Sequence, residues 1–166
     1  QELVILLNLE SYSDWEIDDV FEDSIRLAAS VAEQLSASGL SVGLVSNGKD
    51  IITQAPVEIM PGSGGDHAYN ILEKLARIDL SLTKEPFEQQ LKELERTEPV
   101  YLIISPHHGA EFIKQFESML ERGLHARWIL PVMLDTTPRL AYDVPFTRWE
   151  VIPHDKTSGV HRDTAV

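Results

Sequence analysis

Cysteine is absent from the 166 residues, which removes disulfides, thiolate metal sites and thiol nucleophiles together. The absence fits a reducing compartment, although many extracellular domains share it. Also missing is any apolar run near the roughly 20 residues that a membrane-spanning helix requires, and the chain does not open with the basic, then apolar pattern of a signal peptide. Positive charge is scarce: 14 Lys and Arg stand against 27 Asp and Glu, a formal net charge of -13. Phosphate binding draws on clustered Lys and Arg, so this balance argues against DNA or RNA as the main partner. A basic partner, or simple solubility, is the better reading.

What is present is ordinary for a globular protein: 43% hydrophobic and 25% charged residues, in a length that suits one domain with a sizeable core. The chain starts at Gln1 and enters a strand-like run almost at once, as a piece of something longer would. A soluble domain at the cytoplasmic face is expected, with any membrane tether left to a segment upstream.

Strand and helix patterns alternate along the chain. Leu3 to Leu7 is continuously apolar, as in a strand buried on both faces of a parallel sheet. Ser11, Ser13 and Asp14 supply turn and cap chemistry before a helix from about Asp18 to Ser38, whose stripe runs through Phe21, Ile25, Ala28, Ala32 and Leu35; Gly39 stops it. Leu40 to Val45 reads as the second strand. Asn47-Gly48 is a tight-turn signal leading to a third strand around Ile51 to Ile59, hence an antiparallel hairpin. A Gly-rich loop, Met60 to Asp66, opens a helix through about Arg77 with Tyr69, Leu72 and Ala76 on one face and Ile71 and Leu75 beside it. A more polar helix follows from Pro86 to about Arg96, burying Phe87, Leu91 and Leu94. Val100 to Ile104 is the fourth strand, Gly109 to Arg122 a helix, Arg127 to Met133 the fifth strand and Trp149 to Ile152 a short sixth. Residues 1–153 form one domain; the segment from His154 to Val166 has no periodicity and is expected to fray.

This alternation predicts an α/β fold: an open, mostly parallel sheet with helices on both faces and one antiparallel edge strand. Ligands of such sheets bind beyond the carboxyl ends of the strands. The loops to inspect are therefore Asn8 to Asp14, Gly62 to His67 and Ser105 to His108.

A strand, a Ser- and acid-rich turn, a long helix, "LSVGLVSNG" and a Gly-rich loop into a helix together resemble the von Willebrand factor A domain, a Rossmann-like fold. The stretch "NLESYSDWEIDDVFEDSIRLAASVAEQLSASGLSVGLVSNG", with "ILEKLARI" and "YLIISP", resembles the bacterial family called domain of unknown function 58. The likeness covers roughly residues 3 to 133 and is most specific between Phe21 and Gly48. The A-domain metal site takes an Asp-x-Ser-x-Ser turn, a Thr and a second Asp, oxygens that suit a hard cation. Here the resemblance puts those positions on Asn8, Glu10 and Tyr12, or after a two-residue slip on Glu10, Tyr12 and Asp14. The Thr falls near Gly65 or Asp66, and the second Asp on Pro106, which cannot coordinate anything. The implied metal site is degenerate.

Each singled-out residue also has a plain structural reading. Ser11, Ser13 and Asp14 are favoured in turns and caps for backbone reasons alone. Gly62 to Gly65 could cradle a phosphate, but the loop lacks a P-loop Lys and Asp66 would repel an anion, so a simple turn is the better reading. His107 and His108 are adjacent and cannot act as an i, i+4 ligand pair on a helix. Glu16, Asp18, Asp19, Glu22 and Asp23 sit where a helix N-terminus favours negative charge, and they also form an acidic rim beside the candidate site.

The resulting expectation is a non-catalytic interaction or scaffold domain. The family resemblance implies a MoxR-type AAA ATPase as partner and membrane helices upstream. Candidate partner-binding residues are Asn8, Glu10, Ser11, Ser13, Asp14, Asp18, Asp19, Glu22, Gly64, Asp66, Ser105 and His107. No cofactor and no catalytic residue is expected. One alternative is a divalent-metal-dependent binding domain with Glu10, Ser11, Ser13 and Asp66 as ligands. The other is a small hydrolase using Ser11, Ser13 or Ser105 with His67, His107 or His108, for which no Gly-x-Ser-x-Gly elbow exists.

Overall fold

The structure, a computed structural model, describes residues 1–10, 17–140 and 143–153. The segment expected to fray lies outside the described residues. Its elements are β1 (Glu2–Leu7), α1 (Ile17–Ala37), β2 (Ser41–Asp50), β3 (Pro56–Gly62), α2 (Gly65–Ala76), β4 (Ile78–Asp79), α3 (Phe87–Lys92), β5 (Val100–Ile104), α4 (Ala110–Glu121), β6 (His125–Met133) and β7 (Thr147–Val151). None of the described helices is long and apolar enough to cross a membrane.

All seven strands among the described residues belong to one open sheet, in the order β3-β2-β1-β5-β6-β7, with β4 added on β2. β1 pairs in parallel with β2 and β5, and β5, β6 and β7 continue in parallel. β3 is the antiparallel edge strand expected beside β2. β4 pairs antiparallel with Lys49 and Asp50, beyond the reach of β1, which ends at the Leu7–Ser46 pair. The winding reverses between β1 and β5, which makes their carboxyl ends the topological switch point.

Helices cover both faces, which is why the central strands are apolar at every position. On one face Leu6, Ile103 and Trp128 pack beneath Phe87 and Leu91 of α3 and Phe112 and Phe116 of α4. On the other, Ile5, Leu7 and Leu44 pack beneath Phe21, Ala28 and Ala32 of α1 and Ile71 and Leu75 of α2. Consecutive side chains of β1 therefore enter different cores. The α1 stripe is interrupted by Ser24, fully buried, whose hydroxyl donates back to the Val20 carbonyl at 2.7 Å. Gly39 (φ 88) and Gly123 (φ 82) end α1 and α4 in the left-handed conformation. In both, the following N–H reaches five residues back, Leu40 to Leu35 and Leu124 to Met119, the Schellman pattern in which a side-chain Cβ would be strained.

Several boundaries differ from the sequence expectation. Asn47-Gly48 is not the hairpin turn: β2 runs straight through it to Asp50. The turn lies at residues 51–55, where the Asp50 carboxylate accepts from the Ile52 N–H at 2.7 Å and Gln54 adopts φ 58. Gly48 serves close packing instead, since a Cβ there would stand 2.7 Å from Leu9 Cδ1 and 3.0 Å from Ile78 Cγ2. β3 also extends to Gly62, into the expected loop. α2 buries Ile71 and Leu75, leaving Tyr69 exposed, so its inward face is rotated from the one expected. α3 is six residues long, much shorter than the Pro86 to Arg96 pattern, and the two-residue β4 was not anticipated.

Candidate functional site

At the switch point Asn8 and Ser105, just past the ends of β1 and β5, stand beside Ser46 and Asn47 of β2, all polar and all fully buried. Asn8, Asn47 and Ser105 form one network. The Asn8 Nδ2 donates to Ser105 Oγ at 3.0 Å. Asn8 Oδ1 accepts from the Glu10 N–H at 3.0 Å and from Asn47 Nδ2 at 2.9 Å. Asn47 Oδ1 accepts from the Leu9 N–H at 2.8 Å, and its Nδ2 also donates to the Glu85 carbonyl at 3.2 Å. Ser105 Oγ donates to the His107 carbonyl at 2.7 Å, and Trp128 Nε1 donates to the Ser105 carbonyl at 3.0 Å. Ser46 Oγ bridges the Leu7 carbonyl and the Gly48 N–H.

The network thus knits three loops to the sheet: residues 8–10, 80–86 and 105–109. Burying an amide without partners costs on the order of 1–3 kcal/mol, so the closed pattern is what makes these groups tolerable inside. The 80–86 loop is further held by the Glu10 carboxylate, which accepts from the Phe87 N–H at 3.3 Å. Gln90 Nε2 donates to the Ser46 carbonyl at 3.2 Å. Sequence reasoning picked out Asn8, Glu10 and Ser105 from their place after strands. It missed Ser46, Asn47, Glu85 and Gln90. Asn47 was hidden by its strong turn signal, and nothing in the sequence marks Gln90 or the Glu85 carbonyl.

His107 is 13% exposed, with its Nε2 3.6 Å from the Glu88 carboxylate. Burial, with His108 as a like charge nearby, pushes its pKa down to about 4. Glu88 pulls the other way, but 3.6 Å is outside hydrogen-bond range and desolvation wins, so the ring is neutral at neutral pH. Gly109 lies close beneath it: a Cβ there would stand 2.6 Å from the imidazole, so the ring would have to shift. The Ser105 hydroxyl points its proton at the His107 carbonyl, not at an imidazole. His67 is elsewhere: its Nε2 lies 2.6 Å from the carbonyl of Val42, at the start of β2.

That position corrects the expected site. Because β3 is antiparallel, its end at Gly62 pairs with Val42, whereas Asn8 follows the Leu7–Ser46 pair. The two ends are four residues apart along β2, roughly 13 Å at the usual rise. Gly64 (φ 94) and the exposed Asp66 therefore open α2 at the amino end of the parallel strands and do not share a site with Asn8, Glu10, Ser105 and His107. Ser11, Ser13 and Asp14 lie outside the described residues. Among the described residues, those that the resemblance places at metal-ligand positions do not converge on one point. Asn8 Oδ1 already accepts twice, Pro106 has no ligand atom on its side chain, and Gly65 and Asp66 are at the wrong end. Among the described residues, no three His, Asp or Glu side chains cluster as metal ligands do.

Acids surround the network. Asp18 and Glu22 are exposed and Asp19 half-buried at the start of α1, and Glu85 and Glu88 stand on or next to α3. Arg26 pairs with Asp23 at 3.3 Å and stands 4.0 Å from Glu22. In the 80–86 loop, burial pushes the Lys84 ammonium below its ordinary range, while Asp18 and Asp79 pull it back up. A separate charged group closes the hairpin: Asp50, 3% exposed, binds Arg77 at 2.7 Å and Lys74 at 3.3 Å, both from the end of α2. The chain matches no protein-family model and no curated protein sequence.

Proposed function

We propose that this domain is a non-catalytic protein-interaction module of von Willebrand A type, in which a hydrogen-bonded amide network stands where related domains hold a metal ion. The observation that carries the reading is the Asn8 amide, which bridges Ser105 and Asn47 across the switch point. Its oxygen accepts twice and its nitrogen donates to the Ser105 hydroxyl, which itself donates to the His107 carbonyl, so both groups are committed within the protein. The network fixes the loops, and the loops present the acidic rim of Asp18, Asp19 and Glu22 with Glu85 and Glu88 beside it. A rim of one sign gives orientation and association rate to a partner with a basic face. The family resemblance names a MoxR-type AAA ATPase as that partner, and a membrane tether upstream belongs to the same proposal.

The test is binding of the domain to a purified MoxR-type ATPase, followed by biolayer interferometry, with a variant carrying Asp18→Lys, Asp19→Lys and Glu22→Lys. Surface substitutions usually change stability little, so the variant should melt like the parent. Its association should slow and lose most of its salt dependence. No binding by the parent, or equal binding by a folded variant, would remove the acidic rim from the interface.

A further inference from the structure

The two edges of the sheet are built differently. β3 carries Pro56 and Pro61, which have no N–H to offer, and its pairing with β2 is broken by register shifts after Val42 and Val45. Prolines and bulges are the usual protection of an edge against pairing with another chain. β7, Thr147–Val151 (TRWEV), has neither, and among the described residues its one strand partner is β6. Leu134, Phe146, Trp149 and Ile152 are all exposed around it.

The backbone of β7 fixes which groups remain for a neighbour. The Val151 carbonyl accepts from Leu134 at 2.9 Å, so in a parallel ladder Thr147, Trp149 and Val151 turn their backbone groups toward β6. Arg148 and Glu150 turn theirs outward. We infer that β7 is a self-association edge, at which two copies of this chain pair antiparallel about a two-fold axis through Trp149. In that register Arg148 meets Glu150 of the other copy and Glu150 meets its Arg148. These are the residues with outward backbone groups, so each such pair exchanges both hydrogen bonds. Trp149 meets Trp149 in the non-hydrogen-bonded position, with Cα atoms about 4.5 Å apart, where side chains come closest.

Charge selects this occupant. Arg148 and Glu150 share one face of β7 and already touch at 3.3 Å within the chain. Paired antiparallel about Trp149, the strand puts opposite charges across from each other on both sides of the axis. A parallel arrangement in register would oppose like charges. The interface is isologous, the commonest form of homodimer contact, and it joins the two sheets into one. The net charge of -13 on each copy opposes association, so the contact is expected at physiological ionic strength, where repulsion beyond about 8 Å is screened.

Sedimentation of the chain at that ionic strength should give a mass twice 18.7 kDa. Glu150→Pro removes an outward N–H and no bond to β6, so this variant should be folded by circular dichroism and monomeric. Arg148→Glu alone and Glu150→Arg alone each oppose like charges in a homodimer, weakening it by about tenfold or more. Mixed together, those two variants should form a heterodimer, because one then presents only acids and the other only bases. If Glu150→Pro fails to fold, the mixing experiment decides. A parent chain still monomeric at about 1 mM, a dimer indifferent to these substitutions, or single variants that do not pair with each other would overturn the inference. So would a chain that dimerises only after removal of residues 154–166, which would give the edge to its own C-terminal segment.

Discussion

Asn8 and Ser105 are 97 residues apart in sequence and joined by a 3.0 Å hydrogen bond from amide to hydroxyl, at the point where the sheet changes its direction of winding. A crevice at that point is the usual ligand site of such a sheet. Here it is spanned by the protein's own side chains.

The bond should register in stability. Asn8→Ala leaves the Ser105 hydroxyl, the Glu10 N–H and one Asn47 donor short of a partner, and should cost about 2–3 kcal/mol. Ser105→Ala should cost about 1–2 kcal/mol. Urea unfolding of both single variants and the double variant should show a coupling of at least about 0.5 kcal/mol. Strict additivity would mean that the two side chains act independently.

Asn47 and Gly48 should behave as strand-interior residues. Asn47→Ala removes bonds to the Leu9 N–H, Asn8 and the Glu85 carbonyl, and should cost about 2 kcal/mol or more. Gly48→Ala forces a methyl within 2.7 Å of Leu9 Cδ1 and should cost about 1–3 kcal/mol through overpacking. A turn in solvent would tolerate Asn47→Ala at a few tenths of a kcal/mol, so denaturation midpoints distinguish the two placements.

Acid should weaken the fold in two windows. The folded His107 titrates at about 4, against 6.5 ordinarily, so between these values the unfolded chain binds a proton that the folded one refuses. Stability is complete above 6.5 and declines as the pH falls toward 4. Asp50 sets the lower window. Burial alone would raise its pKa, but the Ile52 N–H, Arg77, the Thr53 N–H and Lys74 together outweigh burial and hold it at about 2, against 3.8. Its contribution is present above 3.8 and lost as the pH falls toward 2. Melting temperature against pH should therefore flatten between 6.5 and 4 in a His107→Gln variant. An unchanged slope there would mean that His107 is not a significant source of it.

Isothermal titration of the chelator-treated domain with Mg²⁺ or Mn²⁺ should show no sub-millimolar binding, with no rise in melting temperature. Binding abolished by Glu10→Ala would instead favour the metal-dependent alternative. Because Asp66 lies at the other end of the sheet, Asp66→Ala should leave any such binding unaltered.

Much of this was legible in the residues, and the parts that were not share a cause. Helical and strand periodicity marked β1, α1, β5 and α4 nearly to their ends, because burial on one or both faces writes itself locally into the chain. The rule that sites follow strands led to Asn8 and Ser105. Asn47 was misread because hydrophobic periodicity is blind to a polar residue that is buried and bonded, and Asn-Gly is otherwise a turn signal. The 80–86 loop, which Asn47 and Glu10 hold at the site, has no pattern that would announce it.

By itself the sequence determined the class of fold, the inward faces of α1 and α3 and the chain's acidic character, since these follow from short-range alternation and composition. Only the tertiary structure decided which end of the sheet each loop occupies. That depends on strand direction, and the antiparallel strand β3 carried Gly64 and Asp66 away from Asn8 while the chain's return through α2 and β4 brought Glu85 and Phe87 to it. No local pattern encodes that direction, because a strand's side chains alternate in the same way whichever way it runs.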